Sequence, residues 1–497
     1  MALWQNIPFC CIILCIFSAA VTSILKGRAA KAFCMSVLSL VIVSSAVLCA
    51  RLVAYNGSYT FMMGHFPAPW GNEIRVGLME AVTALGFSLI MLLSLLGGDN
   101  RMDEHIEKGK QNLYYIMVEL LTAALMAQVY TNDLFTAYVF VEIMTISACS
   151  LITSRTKGKT LVAATRYMIM NLIGSGLFLL GIILLYDLTG HLLMSNIKQA
   201  VAALHETGQY SQPLTVVIAL LTMGLGIKSA LFPFHTWVPD AYSYSTPTSS
   251  AILSSLVSKG YIFLLIKIYY RVIGIDVIKA SGIDNVLLVF ALVGIVMGSL
   301  SAIREKDIRR MISFSSVAQI GYIYVGLAMG TEAGAAAAVF YILAHGAAKS
   351  MLFLSTGGLC GVSNESKLFK DLRGAGMRNK LAGVAFTVGA FSMVGIPFVG
   401  GFIGKLLFAR AAMSLSDLPM LLVLLTLSLS TFLNTVYFLR TVITLYRPAA
   451  EGAVVTTRKN GVMFTVAMCA LILINIGLGV LARPVISAIA TGLTYFG

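Results

Sequence analysis

The most informative stretch of the chain is LTMGLGIKSALFPFHTWVPD at residues 221–240, because it places a lysine inside an apolar run that prolines then interrupt. Pro233 and Pro239 flank His235 and Trp237. A proline removes a backbone donor and clashes with the preceding turn, so a helix is expected to break near 231–235. Irregular backbone at membrane depth is tolerated where it lines a polar cavity. The alternative is a helix that simply ends at Pro233, with Trp237 at the membrane interface.

The rest of the chain has the composition of a membrane protein. Of its 497 residues, 58% are hydrophobic and 11% are charged, against about 25% charged in a typical soluble domain. Apolar runs long enough to cross a bilayer as helices recur throughout, which predicts an all-α integral membrane protein with a single domain over 1–497. About fourteen spans are predicted, at 6–26, 29–53, 78–98, 111–130, 132–153, 159–186, 213–236, 247–272, 283–303, 310–330, 333–360, 381–413, 418–446 and 461–486.

The net charge of +14 comes from basic residues that are unevenly divided between alternate loops, and this predicts the orientation of the chain in the membrane. One set of alternate loops holds 22 basic residues and the opposite set holds seven, Arg271 among them. The positive-inside rule therefore places both termini outside a cytoplasmic membrane. The excess charge serves orientation and lipid head groups, and nucleic acid is excluded as a partner. The larger set is Lys26, Arg28, Lys31, Arg101, Lys108, Lys110, Arg155, Lys157, Lys159, Arg304, Lys306, Arg309, Arg310, Lys367, Lys370, Arg373, Arg378, Lys380, Arg440, Arg447, Arg458 and Lys459.

The eight cysteines lie in apolar runs and form no CxxC pair or Cys/His cluster. We therefore expect structural thiols and no iron–sulfur or zinc centre, so the chain should hold no cofactor and no metal. Between 187 and 213 we expect a loop with a short amphipathic piece at 197–204.

A second interrupted span carries SMVGIPFVGGFIGKLLFA at residues 392–409, where Pro397 and several glycines weaken the helix. Lys405 follows Pro397 by eight residues, whereas Lys228 precedes Pro233 by five. Two broken spans with lysines on opposite sides of the break suit an inverted-topology repeat.

Three glutamates also fall in apolar runs, at Glu80, Glu119 and Glu142. Glu142 lies well inside FTAYVFVEIMTISACSLI, at residues 135–152. A charge at the bilayer centre costs at least about 2.5–3.5 kcal/mol, so it persists when it faces protein or water and has a partner. Glu142 is accordingly a candidate ion-translocation residue, with structural hydrogen bonding as the alternative; Glu80 and Glu119 are left without a role.

Further basic residues lie in the spans between the two breaks. Lys259 lies in SSLVSKGYIFLLIKIYY, and His345 with Lys349 in FYILAHGAAKSMLFL, where a spacing of four puts both on one helix face. Histidine can pass protons near neutral pH, although a lone histidine on an apolar helix is usually a core residue. Lys267 lies near a span end, and we interpret it as an anchor whose ammonium group snorkels to the membrane interface.

Together these residues suggest a chain of charges across the middle of the membrane. Burial moves both carboxylates and ammonium groups toward exchange at neutral pH, and protonating one site alters the next in a low dielectric. Water is expected to bridge sites on separate helices.

At these residues the sequence resembles the antiporter-like membrane subunits of respiratory complex I, of Mrp Na⁺/H⁺ antiporters and of energy-converting membrane-bound hydrogenases. The similarity covers most of the chain and is strongest over 112–407. It is carried by PFHTWVPDAYSYSTPTSSAIL, LFTAYVFVEIMTISACSLI, AHGAAKSMLFL and VGIPFVGGFIGK. The second and third of these stretches lean toward the hydrogenase or Mrp side.

The resemblance implies fourteen helices with two five-helix inverted repeats, over 111–272 and 283–446, and breaks in helices 7 and 12. It implies that Glu142 and Lys228 form the charge pair of one half-channel and that Lys405 gates the other. Lys259 and His345 would be central relay sites, with Lys349 beside the histidine. His235, Asp240, Pro233 and Pro397 would support them.

The resemblance leaves two functions open. One is a proton- or Na⁺/H⁺-translocating subunit, with no redox centre of its own, of a redox-driven complex with a peripheral arm and related antiporter-like subunits. The other is a subunit of a stand-alone Mrp-type cation/proton antiporter. A passive scaffold and a small-solute carrier are less favoured, since nothing marks a solute pocket.

Overall fold

The computed structural model describes residues 3–63, 66, 71–98, 102–155, 158–449, 456 and 459–496, and the chain within them is almost entirely helical. The first half contains α1 Ile7–Ile24, α2 Arg28–Tyr55, α3 Leu78–Gly98, α4 Gln111–Tyr130, α5 Leu134–Thr153, α6 Gly158–Thr189, α7 Met194–Glu206, α8 Ser211–Lys228, α9 Val238–Tyr244 and α10 Pro247–Ile273. The second half contains α11 Ile275–Ser281, α12 Ile283–Arg304, α13 Ile308–Ala328, α14 Glu332–Gly361, α15 Lys380–Val394, α16 Gly400–Ala412, α17 Asp417–Tyr446, α18 Val462–Val480 and α19 Ala482–Thr494.

Short elements join these helices. An antiparallel hairpin links α2 to α3, with β1 at Tyr59–Met62 paired to β2 at Glu73–Val76. Single turns of 3₁₀ or α helix lie at Leu3–Asn6, Met102–His105, Lys108–Lys110, Phe234–Trp237 and Ala375–Arg378.

The predicted membrane spans are present as helices. Among the described residues, thirteen helices are long and apolar enough to cross a membrane, and the predicted span at 381–413 is divided into the shorter α15 and α16. The amphipathic piece expected at 197–204 is confirmed as part of α7, which buries Met194, Ile197 and Val201. The last predicted span ends earlier than expected, at Val480, and α19 follows as a separate helix.

Helix starts follow capping chemistry that the sequence carries. The side chains of Asp133, Thr246, Asp307, Thr331 and Asn379 accept hydrogen bonds from backbone N–H groups in the first turns of α5, α10, α13, α14 and α15. Each cap satisfies donors that have no partner inside the helix. These polar residues therefore fix where the spans begin.

The bundle has a fully enclosed centre and an apolar outer surface. Helices α10, α13 and α14 are surrounded by protein along almost their whole length, whereas α1, α2 and α18 expose many large apolar side chains. Helices that are hydrophobic all round are typical of the centre of a large membrane bundle. Lys259, His345 and Lys349 therefore lie in the most enclosed part of the protein, on α10 and α14.

Both ends of the described chain contact the hairpin between α2 and α3. Tyr59 Oη donates to the carbonyl of Gln5 at 3.1 Å, and Arg75 Nη2 donates to the carbonyl of Tyr495 at 2.6 Å. The two chain ends consequently lie at the same end of the bundle. Of the basic loop residues used to predict orientation, Arg101, Lys157 and Arg458 lie outside the described residues.

Candidate ion-translocation site

The first interruption begins directly after Lys228, where α8 ends. Ala230 has a left-handed backbone (φ 68°), and the N–H of Leu231 reaches back to the carbonyl of Gly226 at 2.8 Å. This is the hydrogen-bond pattern of a Schellman cap, which terminates a helix before any proline is met. The regular helix therefore ends a few residues before the 231–235 stretch expected from Pro233, and Lys228 lies in its last turn.

The Lys228 side chain is fully enclosed and has polar partners on α5. Its Nζ lies 3.3 Å from Glu142 Oε1 and donates to Thr145 Oγ1 at 2.8 Å. Glu142 Oε1 also accepts from Ser175 Oγ of α6 at 2.5 Å. The Lys228 side chain is 0% exposed and that of Glu142 is 25% exposed, so the ammonium is enclosed by protein while the carboxylate lies partly at the surface of the bundle.

A tyrosine extends this pair toward the centre of the bundle. Thr145 Oγ1 shares a 2.9 Å hydrogen bond with Tyr261 Oη, and the Lys228 ammonium lies 5.5 Å from the centre of the Tyr261 ring. Tyr261 belongs to α10, two residues after Lys259. Hydroxyl groups that both donate and accept can pass protons between neighbours.

Lys259 is buried and hydrogen-bonded within its own helix. Its Nζ donates to the carbonyl of Ser254 at 2.6 Å and to Ser258 Oγ at 3.1 Å. Residues 253–257 form a wide π-helical turn, a feature frequent at functional sites. Ser254 Oγ meets Ser316 Oγ of α13 at 2.9 Å, so the polar contacts of Lys259 continue onto α13.

His345 and Lys349 lie on one face of α14, as their spacing predicts. Lys349 Nζ donates to the carbonyl of Ile312 at 3.0 Å and to Ser315 Oγ at 2.9 Å. Both ring nitrogens of His345 are buried without a hydrogen-bond partner among the described residues. Because Ser315 and Ser316 are adjacent, α13 contacts the polar groups of both central lysines.

The second interruption has the same local geometry as the first. Helix α15 ends at Val394, Gly395 has φ 88°, and the N–H of Ile396 reaches the carbonyl of Phe391 at 3.0 Å. Lys405 of α16 donates back across the break to the carbonyl of Val394 at 2.8 Å. A lysine therefore lies beside each break, in the last turn of α8 at the first break and in α16 after the second.

Lys405 is connected to His345 by aromatic rings. The Lys405 ammonium lies 5.4 Å from the ring centre of Tyr322 and 3.3 Å from Thr431 Oγ1. The rings of Tyr322 and Tyr341 are 5.8 Å apart, and those of Tyr341 and His345 are 6.0 Å apart. Tyr341 Oη also donates to Gln319 of α13. A continuous row of aromatic and amide groups therefore separates the centre from the second break.

The four predicted supporting residues have distinct positions. Pro233 and Pro397 lie within the two interruptions. His235 stacks on Phe232 with ring centres 5.3 Å apart, and its Nδ1 has no partner among the described residues.

Asp240 lies in an ion-pair cluster away from the lysine row. Its carboxylate contacts Arg166 at 2.5 Å and Arg310 at 2.7 Å, and Arg310 also contacts Glu305 at 3.2 Å. Asp240 consequently ties α9 to α6 and α13.

Two interpretations of basic residues were wrong. Lys267 does not snorkel: it is 0% exposed and donates to the carbonyls of Gln128, Val129 and Thr131, at 3.1, 2.9 and 2.5 Å. These carbonyls lie at the C-terminal end of α4, where they have no partner inside the helix. A lysine near that end caps the helix and is favoured by its dipole.

Arg271 is likewise not an exposed loop residue. Its Nη2 pairs with Glu80 Oε1 at 2.7 Å, both side chains are 1% exposed, and its Nε donates to the carbonyl of Phe496. Glu80 thus links α3 to the end of α10. Glu119 accepts from Thr22 Oγ1 at 3.1 Å, and its other oxygen has no partner among the described residues.

Helix α13 supplies polar groups that the sequence reasoning missed. Ser316, Gln319 and Tyr322 recur every three residues, and Ser315 is beside them, so they form one polar face in an otherwise apolar span. That spacing is a signal available in the sequence, although each residue is neutral and therefore less conspicuous than a lysine.

The fold and these contacts define a multi-pass membrane protein with a row of buried ionisable groups between two helix interruptions. Residues 131–433 match the family described as NADH:quinone oxidoreductase/Mrp antiporter, TM, and the chain belongs to this family.

Individual relatives come from respiratory and antiporter complexes. The chain is 30% identical over 451 residues to NADH-quinone oxidoreductase subunit N of Desulforudis audaxviator, covering 88% of this chain and 86% of the relative. It is 26% identical over 446 residues to a Na⁺/H⁺ antiporter subunit of Bacillus subtilis, covering 88% and 86%. A chain of the membrane-bound sulfane sulfur reductase, an archaeal respiratory membrane complex, superposes with a TM-score of 0.87 at 25% identity, covering 99% and 97%. These relatives are subunits of multi-subunit membrane complexes.

Proposed function

We propose that this chain is the ion-translocating subunit of a multi-subunit membrane complex and that it moves protons along the row from Glu142 to Lys405. The observation that carries the proposal is that the buried lysine side chains point into the bundle. Lys228, Lys259 and Lys349 are 0% exposed and donate to groups inside the bundle, although any of them would be cheaper to keep at the membrane interface. Ionisable groups retained at this depth are typical of proton relays.

The proton path begins at the Glu142–Lys228 pair. Glu142 is partly exposed at the surface of the bundle and lies 3.3 Å from the enclosed ammonium. A charge arriving at or leaving the carboxylate changes the electrostatic energy of Lys228 directly, since two unit charges at this distance interact strongly in protein. Thr145 and Tyr261 then provide hydroxyl groups toward Lys259.

Water is expected to complete the central part of the path. Ser255 Oγ, Gln319 Nε2, Tyr322 Oη and both nitrogens of His345 are buried without a hydrogen-bond partner among the described residues. Buried polar groups of this kind are normally satisfied by ordered water. Their position among Lys259, Lys349 and Lys405 supports a hydrated connection between the lysines.

The ion that best fits this path is the proton. An ammonium or an imidazole can bind and release a proton, whereas a Na⁺ ion gains nothing from ammonium groups and prefers oxygen ligands. Na⁺/H⁺ exchange would require a separate oxygen-lined site.

The two interruptions support an inverted repeat, with units at 111–272 and 283–446. Both breaks contain a residue with left-handed backbone, Ala230 or Gly395. In both, the next N–H group donates to the carbonyl five residues before it. Each unit would then provide one half-channel, served by Lys228 in the first and Lys405 in the second. Repeats of this kind place ion sites at discontinuous helices near the midplane.

We infer that the complex is redox-driven, of the respiratory or hydrogenase type, with a peripheral arm that carries the electron-transfer chemistry. The relatives with a respiratory role support this assignment. The alternative is a stand-alone Mrp-type antiporter, supported by the relative from Bacillus subtilis. In both cases the chain lies in the cytoplasmic membrane with its two ends outside, which the loop charges support. The contacts of both ends with the hairpin support only that the two ends lie on the same side.

The proposal is tested on the purified complex in sealed vesicles. We expect Lys228→Ala and Glu142→Ala to abolish proton movement while the complex still assembles, and the exposed lysine variant Lys380→Ala to leave it unchanged. Full proton movement in either of the first two variants would exclude the assigned pair. Subunits with iron–sulfur centres in the same preparation would exclude the stand-alone antiporter, and their consistent absence from an active preparation would exclude the redox-driven complex.

A further inference from the structure

A groove with four basic side chains lies at the end of α17 that the loop charges place in the cytoplasm. It has a volume of about 470 Å³ and is formed by α17 and the loop before α15. Lys370 and Arg373 come from the loop, Arg440 comes from α17, and Arg447 directly follows the last residue of α17. About two helical turns separate Arg440 from the C-terminal end of α17, where Arg447 follows and lines the same groove.

The cationic groups of this groove are not paired within the described residues. None of the four side chains donates a hydrogen bond or forms an ion pair within the part of the chain that the structure describes. Their backbone alone is used, as when Arg440 accepts from Thr444 Oγ1 through its carbonyl.

Basic neighbours in the same loop behave differently. Lys367 Nζ donates to the carbonyl of Ser243 at 2.5 Å. The Arg378 guanidinium donates to the carbonyls of Val362 and Arg373 and to Ser363 Oγ. The groove therefore gathers the basic side chains that the fold leaves available. Four like charges in one groove repel one another unless an anion lies between them.

An exposed apolar stripe on α17 runs directly to the groove. Its members recur at alternating steps of four and three residues, so they lie along one side of the helix. They are Leu425, Leu429, Phe432, Val436, Leu439 and Ile443, each between 39% and 66% exposed. Ile443 belongs both to this stripe and to the groove.

We propose that the groove binds the headgroup of an anionic phospholipid, with the acyl chains lying along the α17 stripe. Basic pockets at the cytoplasmic ends of membrane helices suit phosphate headgroups, and four cations suit a lipid with two phosphates best. The stripe favours lipid over a partner helix because helix–helix contacts in membranes are enriched in small residues, whereas this stripe contains only large apolar ones. The inference does not depend on the proposed proton path.

The experiment uses the purified complex and fluorescently labelled lipids in detergent micelles. We expect cardiolipin to bind more tightly than phosphatidylglycerol, and both more tightly than phosphatidylcholine. Each removed charge should weaken anionic lipid binding roughly five-fold, so Arg440→Gln with Arg447→Gln should weaken it by about 25-fold. The charge-preserving pair Arg440→Lys with Arg447→Lys should retain most of the affinity.

Two exposed residues of the same predicted face provide the matched control. Lys26→Gln with Arg28→Gln removes the same charge away from the groove and should leave lipid binding within about two-fold of the wild type. Equal losses of lipid affinity in the groove and control variants would mean that general surface charge, and not the groove, determines binding, and would overturn the proposal.

Further outcomes separate the possible occupants. Pyrophosphate and inorganic phosphate are added as competitors; displacement of the lipid at equal concentration would identify a free-anion site and overturn the lipid assignment. Loss of a membrane subunit from the groove variant, with lipid binding intact, would identify a protein contact instead. Unchanged lipid binding in the groove variant would likewise refute the proposal.

Discussion

Replacing one partner of the Glu142–Lys228 pair should have a different effect on stability from replacing the other. At a separation of 3.3 Å, two unit charges attract by ~5 kcal/mol for an effective dielectric constant of 20. Glu142 is 25% exposed at the surface of the bundle, whereas the Lys228 side chain is fully enclosed by protein. Removing the carboxylate therefore leaves an enclosed ammonium with Thr145 as its remaining hydrogen-bond partner among the described residues.

These environments determine how much stability each substitution should cost. Glu142→Gln should destabilise the protein by about 3 kcal/mol, near the lower end for breaking a buried ion pair. Lys228→Met should cost about 1 kcal/mol, because methionine fills similar space and the remaining carboxylate, which is not enclosed, keeps its hydrogen bond from Ser175. The double variant should lose about 2 kcal/mol, which gives a coupling energy of about 2 kcal/mol between the two sites.

The assay is a double-mutant cycle on thermal unfolding of the purified complex, read at fixed detergent and salt. The exposed pair Lys110–Glu107, 3.1 Å apart with side chains 45% and 57% exposed, is the control and should couple by less than about 0.5 kcal/mol. Additive losses at Glu142 and Lys228, or a larger loss from Lys228→Met than from Glu142→Gln, would refute the reasoning.

The remaining predictions concern buried groups outside the proton path. Glu80→Gln should lower stability by about 3–5 kcal/mol, measured by thermal unfolding, because Arg271 would be left enclosed without its counter-charge. Lys267→Met should cost about 2–4 kcal/mol, since three carbonyls lose a charged donor; a neutral result would mean that water replaces the lysine. Burial, with the charge of a nearby arginine, lowers the pKa of Lys367 in the loop to about 7, so the folded protein binds fewer protons than the unfolded chain between pH 7 and about 10.5. Stability should rise with pH across that window, and Lys367→Met should flatten the rise in melting temperature between pH 7 and 9.

The spans and their interruptions could be predicted because the bilayer imposes a strong pattern. Apolar length alone located the membrane helices, and a lysine in an apolar run marked Lys228, Lys259 and Lys405 for attention. The exact helix end at Lys228 could not be predicted, because it depends on the left-handed backbone of Ala230, a residue with no special preference for that conformation.

The partners of the charged residues were harder to predict than the charges. Glu80 and Arg271 are 191 positions apart in the chain, and only the packing of α3 against the end of α10 brings them together. Lys267 and Lys259 lie eight residues apart in similar apolar surroundings, so the sequence shows no difference that would separate a helix cap from a relay site. Their roles differ because Lys267 reaches three carbonyls of another helix while Lys259 is bonded within α10.

That contrast supplies the most direct measurement of proton conduction through the buried lysines. Lys259→Met and Lys267→Met each remove one fully buried lysine from the same helix, and proton movement per assembled complex is compared in sealed vesicles. We expect Lys259→Met to abolish proton movement and Lys267→Met to retain it in whatever fraction assembles. Wild-type proton movement in Lys259→Met would contradict a path through the centre of the bundle.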